Sequence, residues 1–256
     1  MEAPAHLDLN GVTKRFGGLT AVDNLSMQVG DCRINTLIGP NGSGKSTVLN
    51  LITGVYPLSA GRITFGTQSI SGMSPHAITA RGIARTFQSI VLFGGLTALE
   101  NVMVAQYCRT SAGLTAIALR TRTYAAEEAR IRASAHEALE FVGLGDQAQR
   151  DPRALPYGHR RLLEIARALV TKPKLLLLDE ASAGMNPSEI QALKELIRRI
   201  AAEGIVVLAI EHNMNVVMEL SEWITVINFG QKVAEGPPAE ILRNDEVIRI
   251  YLGKGH

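Results

Sequence analysis

Nine consecutive residues, Gly39, Pro40, Asn41, Gly42, Ser43, Gly44, Lys45, Ser46 and Thr47, carry the spacing G-x-x-x-x-G-K-[ST]. Glycines at such positions let the backbone bend until successive N–H groups converge on one point, and a helix starting at Lys45 would aim its positive dipole end there. That chemistry suits the phosphates of a nucleoside triphosphate. Lys45 would bring charge to the β- and γ-phosphates, and Ser46 would offer its hydroxyl to an accompanying Mg2+ ion.

A second cluster ends an apolar run. Residues 175–180 read Leu-Leu-Leu-Leu-Asp-Glu, which puts two carboxylates at the end of a buried strand, where open α/β sheets hold their ligands. Asp179 is the natural partner for magnesium. Adjacent strand side chains point to opposite sides, so Glu180 would be aimed differently and could orient or deprotonate an attacking water.

Both clusters need elements to place them. The run Ile34–Ile38 leads into the glycine loop as a strand, and Val48, Leu49, Leu51 and Ile52 follow at helical spacing. Further strands are expected at Leu7–Val12, Ala21–Val29, Arg62–Phe65, Leu175–Leu178 and Ile205–Ile210. Ser74-Pro75 has the form of a helix N-cap followed by proline, and Thr97 with Glu100 fits a capping box. A helix is expected over Tyr124–Leu144, and Ile190, Leu193, Ile197 and Ile200 form another helical stripe ending before Gly204. The alternation predicts an α/β core with parallel strands, interrupted by a mostly helical subdomain over 89–165.

The chain has 256 residues, 46% of them hydrophobic, enough for one large domain or a core with a subdomain. With 26 basic and 24 acidic residues the charge is nearly balanced, so no electrostatic footprint argues for nucleic acid. No stretch approaches the ~18 apolar residues of a spanning helix, and the N-terminus lacks a basic start followed by an apolar run. A soluble, cytosolic chain is expected. Cys32 and Cys108 are too few and too far apart for a metal site, and they are expected to behave as small buried hydrophobes.

Taken together, these motifs resemble the ATP-binding subunits of ABC transporters over nearly the whole chain. Phe16 in VTKRFGG matches the aromatic position that stacks on adenine, and Gln88 in ARTFQSI the glutamine that touches magnesium and attacking water. LPYGHRRLLEIARAL, from Leu155 to Leu169, matches the family signature, whose Gly158 would face a partner's ATP. Ala183–Pro187 matches the dimer loop and His212 the switch histidine. By residue type alone, Phe16 could equally be a core side chain, and Ile90–Phe93 could be core or a groove for a coupling helix of a membrane subunit. Arg160 and Arg161 read as a solvated helix face. LFGGLTALENV, AGMNP and the closing AEGPPAEI with YLG look most like the branched-chain amino-acid importer subfamily.

The resemblance implies a P-loop NTPase core of ABC ATPase type, residues 1–88 and 166–235, with an N-terminal antiparallel β subdomain, the helical insertion 89–165, and a tail over 236–256. It implies ATP and Mg2+ as ligands, with Ser46, Gln88 and Asp179 at the metal and Glu180, His212 and Gln88 in the reaction. It further implies membrane permease subunits and a second ABC ATPase as partners, a solute-binding protein indirectly, no nucleic acid, and a peripheral place on the cytoplasmic face of the membrane. An exporter ATPase and a non-transport regulatory module stand as alternatives. Two departures stand out: Pro156 and His159 occupy the usual serine and glutamine places of the signature, and Ala181 follows Glu180 where proline is usual.

Overall fold

The structure is a computed structural model and describes residues 6–86, 90–106 and 122–252. It divides into two compact units, one formed by residues 1–85 and 174–256, the other by 86–173.

The first unit holds two sheets. Strands β1 (Leu7–Phe16), β2 (Leu19–Val29), β4 (Ala60–Phe65) and β5 (Gln68–Ser69) make an antiparallel sheet in the order β2-β1-β4-β5. Its strands bury alternate residues, Leu7 and Leu9 on β1, Leu25, Met27 and Val29 on β2, Ile63 and Phe65 on β4, the period-two pattern of a half-covered sheet. Strand β1 runs past the expected end at Val12 to Phe16, and its ladder with β2 shifts register between Leu9 and Arg15.

The second sheet has the order β10-β9-β3-β8-β7-β6. Its members are β3 (Ile34–Ile38), β6 (Ile83–Arg85), β7 (Leu175–Asp179), β8 (Val206–Ile210), β9 (Trp223–Asn228) and β10 (Gln231–Gly236), all parallel except the edge strand β10. Every residue of β3, β7 and β8 is buried, as their continuous apolar runs require of strands covered on both faces. Helix α1 (Lys45–Ile52) buries Val48, Leu49, Leu51 and Ile52 in a core shared with both sheets. Helix α2 (Pro75–Ala80) begins at Ser74, whose side chain accepts from Ala77 N, with proline at its first turn.

In the other unit, α3 (Ala98–Gln106), α4 (Arg122–Phe141) and α5 (Tyr157–Leu169) pack pairwise. The capping box forms: Thr97 N donates to Glu100 Oε2 at 2.7 Å and Glu100 N to Thr97 Oγ1 at 3.2 Å. Helix α4 buries Ile131, Ala135, Ala138 and Leu139 on one stripe and stops before Gly143, at φ 81°.

Back in the first unit, α6 (Pro187–Ala202) carries a capping box of Asn186 with Glu189 and buries Leu193, Ile197 and Ile200. Helices α7 (Met214–Leu220), α8 (Pro238–Ile241) and α9 (Asp245–Leu252) complete it. No helix among the described residues is long and apolar enough to cross a membrane.

Two expectations are corrected. Arg161 is no solvated side chain: it is 3% exposed and paired with Glu164 at 3.2 Å, because α5 turns that face into its own unit. Cys32 is half-buried and free, lying in the segment before β3, and Cys108 falls outside the described residues.

Candidate functional site

Strand β3 ends at Ile38 and the chain turns at once into the glycine loop, which delivers α1 at Lys45. Gly44 caps that helix with φ 104°, and a Cβ there would lie 2.5 Å from Ala21 O, so both conformation and space require glycine. The cap has no side chain to bond the first turn. The N–H groups of Lys45, Ser46 and Thr47 precede the first intrahelical bond, Val48 N to Gly44 O at 2.9 Å, and form the donor end an anion needs. Lys45 Nζ donates to Gly39 O at 2.7 Å and Pro40 O at 2.8 Å, which pins the buried ammonium to its own loop. Burial lowers the Lys45 pKa, while the nearby charges of Glu180 and Asp179 pull it back up.

Strands β3, β8 and β7 are parallel neighbours, so their carboxyl ends share one sheet edge. Asp179 closes β7, buried, with Oδ2 2.8 Å from Arg85 Nη2. Arg85, the last residue of β6, also donates through Nη1 to Asn50 Oδ1 on α1 at 2.7 Å. This arginine thus ties the metal candidate to the helix that follows the phosphate loop. The residue reading missed it. The available signal was a cation ending a short apolar strand of a parallel sheet, which needs a buried acid as partner.

Glu180 leaves the strand with φ 50°, a left-handed conformation that is strained for a non-glycine residue and that clusters at working sites. Its N–H still bonds Ile210 O at 2.9 Å, so the residue is anchored while its side chain leaves the alternation of the strand. Glu180 Oε1 lies 2.6 Å from His212 Nε2, the histidine just beyond β8. Between Ile210 and His212 sits Glu211, buried, accepting from Ser182 N at 3.1 Å and Ser182 Oγ at 2.6 Å. Burial raises the Glu211 carboxyl, opposed by those two bonds. This pairing locks the loop after β7 to the loop after β8, and it too escaped the residue reading.

Phe16 is 41% exposed at the end of β1, which removes the core alternative. Its ring meets Tyr56 edge-on, with centroids 5.2 Å apart, and Lys14 Nζ stands 4.8 Å from the Phe16 centroid. That is an accessible aromatic face beside a cation, suited to a base. Gln88 lies outside the described residues. Gly158 is buried in the first turn of α5, within the other unit, and Pro156 caps that helix without any side-chain hydrogen bond. Ala183, Gly184, Asn186 and Pro187 of the dimer-loop motif are exposed. Val91 and Phe93 are exposed as well, at 60% and 44%, so they are not core. Their backbone is held from below: Glu164 accepts from Val91 N at 3.3 Å, and Asn101 exchanges bonds of 2.8 and 3.1 Å with Phe93 N and O.

The oxygen set of Ser46 and Asp179 fits Mg2+, a hard cation that takes hydroxyl and carboxylate ligands and completes its shell with phosphate and water. The uncapped helix end and the pinned Lys45 fit the triphosphate.

Comparison with known proteins agrees with this geometry. The family model described as "ABC transporter" matches residues 22–183, more than half of the chain, and one described as "Branched-chain amino acid ATP-binding cassette transporter" matches residues 231–256. The chain is 41% identical over 249 residues to the high-affinity branched-chain amino acid transport ATP-binding protein BraF of Pseudomonas aeruginosa, covering 97% of this chain and 98% of that one. It is equally 41% identical, with the same coverage, to the corresponding protein LivG of Escherichia coli K12. Among solved structures, a nucleotide-free ATP-binding cassette from an ABC transporter superposes with a TM-score of 0.85 at 31% identity, covering 98% of this chain and 100% of that one. Another such cassette, in its ADP conformation, gives 0.83 at 31% identity, covering 98% and 99%. A cradle built for phosphates, a strand-end pair of acids and whole-length similarity converge on one conclusion: the chain belongs to the ABC transporter family of ATP-binding proteins.

Proposed function

We propose that this chain is the ATP-hydrolysing motor subunit of a membrane importer for branched-chain or related amino acids, working from the cytoplasmic face with permease subunits and a second ATP-binding cassette. The observation that carries the catalytic part is the Glu180–His212 pair, 2.6 Å apart at the edge where the phosphate loop also emerges. The solute class rests on the names of relatives that span the chain end to end.

In this reading Gly42–Thr47 cradle the triphosphate, Lys45 neutralises its β- and γ-oxygens, and the exposed Phe16 ring stacks on adenine. Ser46, Asp179 and Gln88 are the residues that would hold Mg2+, which supplies positive charge to the phosphate oxygens when bound. Glu180 takes a proton from the attacking water as the new P–O bond forms and the bond to the β-phosphate breaks, releasing ADP. His212 holds the Glu180 carboxylate in place, and Arg85 fixes Asp179 against α1. Such chemistry needs positioning and charge more than any covalent intermediate.

The test is co-purification of the tagged chain from membranes, with identification of the permease and companion ATPase, followed by ATP-driven leucine uptake into vesicles holding that assembly. Uptake that needs hydrolysable ATP supports the reading. An assembly that hydrolyses ATP yet moves no branched-chain amino acid would remove the solute assignment.

A further inference from the structure

The chain leaving β7 and the chain leaving β8 are fastened to each other at three points. The ladder ends with Asp179 opposite Ile210, and the next amide, Glu180 N, donates to Ile210 O at 2.9 Å. Beyond it the consecutive residues Glu211 and His212 take hold of Ser182 and Glu180, two residues apart. His212 meets Glu180 directly. Glu211 instead grips Ser182, accepting from its N at 3.1 Å and its Oγ at 2.6 Å, and both residues are buried, 5% and 6% exposed.

A carboxylate is a costly choice for such a place. Burial raises the Glu211 pKa in spite of the two bonds from Ser182, so those bonds offset only part of the cost of taking the charge out of water. What the carboxylate gains is a fixed position for Ser182. From that residue hangs the exposed loop over 183–187: Met185 N donates to Ser182 O at 3.2 Å and Ala183 N to Glu180 O at 3.2 Å, with Gly184 turning at φ 76°. The Glu211 bond thus joins this exposed loop to the strand end that carries His212.

We propose that Glu211 is a positioning residue for hydrolysis: through Ser182 it ties the 183–187 loop to His212, so that seating this loop against a second cassette sets where Glu180 stands relative to the attacking water. The inference rests on reading Glu180 as the general base and residues 183–187 as facing the second cassette. Misplacing a reacting group by about 1 Å can cost about 10²-fold in rate, so a clasp of this kind acts on turnover rather than on nucleotide binding.

Three substitutions in the assembled transporter test it. Glu211→Ala should lower kcat for ATP hydrolysis by about tenfold or more with KM for ATP retained, the mark of an interaction that serves the transition state. Glu211→Gln should recover most of that loss, because the amide oxygen can accept from Ser182 N while its NH2 donates to Ser182 Oγ. Ser182→Ala, which removes only the hydroxyl, should fall between them, and combined with Glu211→Ala should lower kcat no further. Wild-type turnover in Glu211→Ala overturns the proposal, as does a Gln variant as slow as the Ala variant, or a loss of kcat that follows the melting temperature across the set. Should Glu211→Ala fold poorly, Ser182→Ala decides alone, since it leaves the carboxylate its backbone bond; wild-type kcat there overturns the proposal. Wild-type turnover in Glu180→Gln would sink the general-base reading instead. In that event hydrogen exchange of the Ser182 amide in the full chain, expected to accelerate about tenfold in Glu211→Ala, still shows whether Glu211 holds the loop, and unchanged exchange overturns the clasp.

Discussion

At the residue scale, the site works because a few side chains are held where their charge is needed. Lys45 is buried and bonded, among the described residues, to the Gly39 and Pro40 carbonyls of its own loop, so its removal takes away both those two bonds and the cation that would meet phosphate. Lys45→Ala should weaken ATP binding by about 1.5 to 3 kcal/mol, the usual worth of a hydrogen bond to a charged group, read by calorimetric titration. Phe16→Ala should cost about 1 to 3 kcal/mol of nucleotide affinity if its exposed ring stacks on the base. Equal ATP and GTP affinities that ignore this substitution would contradict the stacking role. Glu211 gives a pH signature. Its folded pKa is raised above the ordinary 4.5 by burial, so the folded state holds its proton more tightly than the unfolded chain does. The stability this group contributes is therefore complete below that ordinary value and is lost as pH climbs through the raised one. Glu211→Gln lacks this slope, and melting curves should show wild type losing ground to the variant as pH rises from 4.5 towards neutrality.

At the element scale, periodicity and punctuation revealed most of what positions the site. Fully apolar runs marked β3, β7 and β8, the glycine loop marked the start of α1, and Thr97 with Glu100 marked α3. Pairings across elements were not legible, because spacing along a chain says nothing about which strand ends meet. Arg85 meeting Asp179 and Glu211 meeting Ser182 are both of this kind, as is Arg161, whose burial depends on which face α5 turns inward. The exposed loop at Val91 and Phe93 offers a direct check. Phe93→Asp places a charge where solvent already reaches, so folding and ATP binding should survive while co-purification with the permease is lost; retained assembly would rule out this loop as a docking surface. The start of α5 offers another. Pro156 brings neither hydroxyl nor N–H to the signature, and Pro156→Ser should raise hydrolysis at the partner's nucleotide, since one well-placed donor can be worth about 2.7 to 4 kcal/mol of barrier. Unchanged turnover in the assembled complex would show that the proline is neutral.

At the scale of the whole molecule, the proposed reading makes the chain one member of a machine whose other parts carry the solute. Its two units hold complementary halves of the family's chemistry, the phosphate loop and strand-end acids in one and the signature helix in the other. A heteromeric pair in which this chain's LPYGH faces the partner's ATP would concentrate hydrolysis at this chain's own phosphate loop. The claim at the centre is that Glu180 drives that hydrolysis and that hydrolysis drives transport. The decisive measurement compares wild type and Glu180→Gln in vesicles holding the assembled transporter, following ATP binding, phosphate release and amino-acid uptake together. Binding should be unchanged while phosphate release and uptake both fall by about 10² to 10⁴-fold, the range expected for loss of a general base. Uptake and phosphate release continuing at wild-type rates in the Glu180→Gln assembly would contradict it.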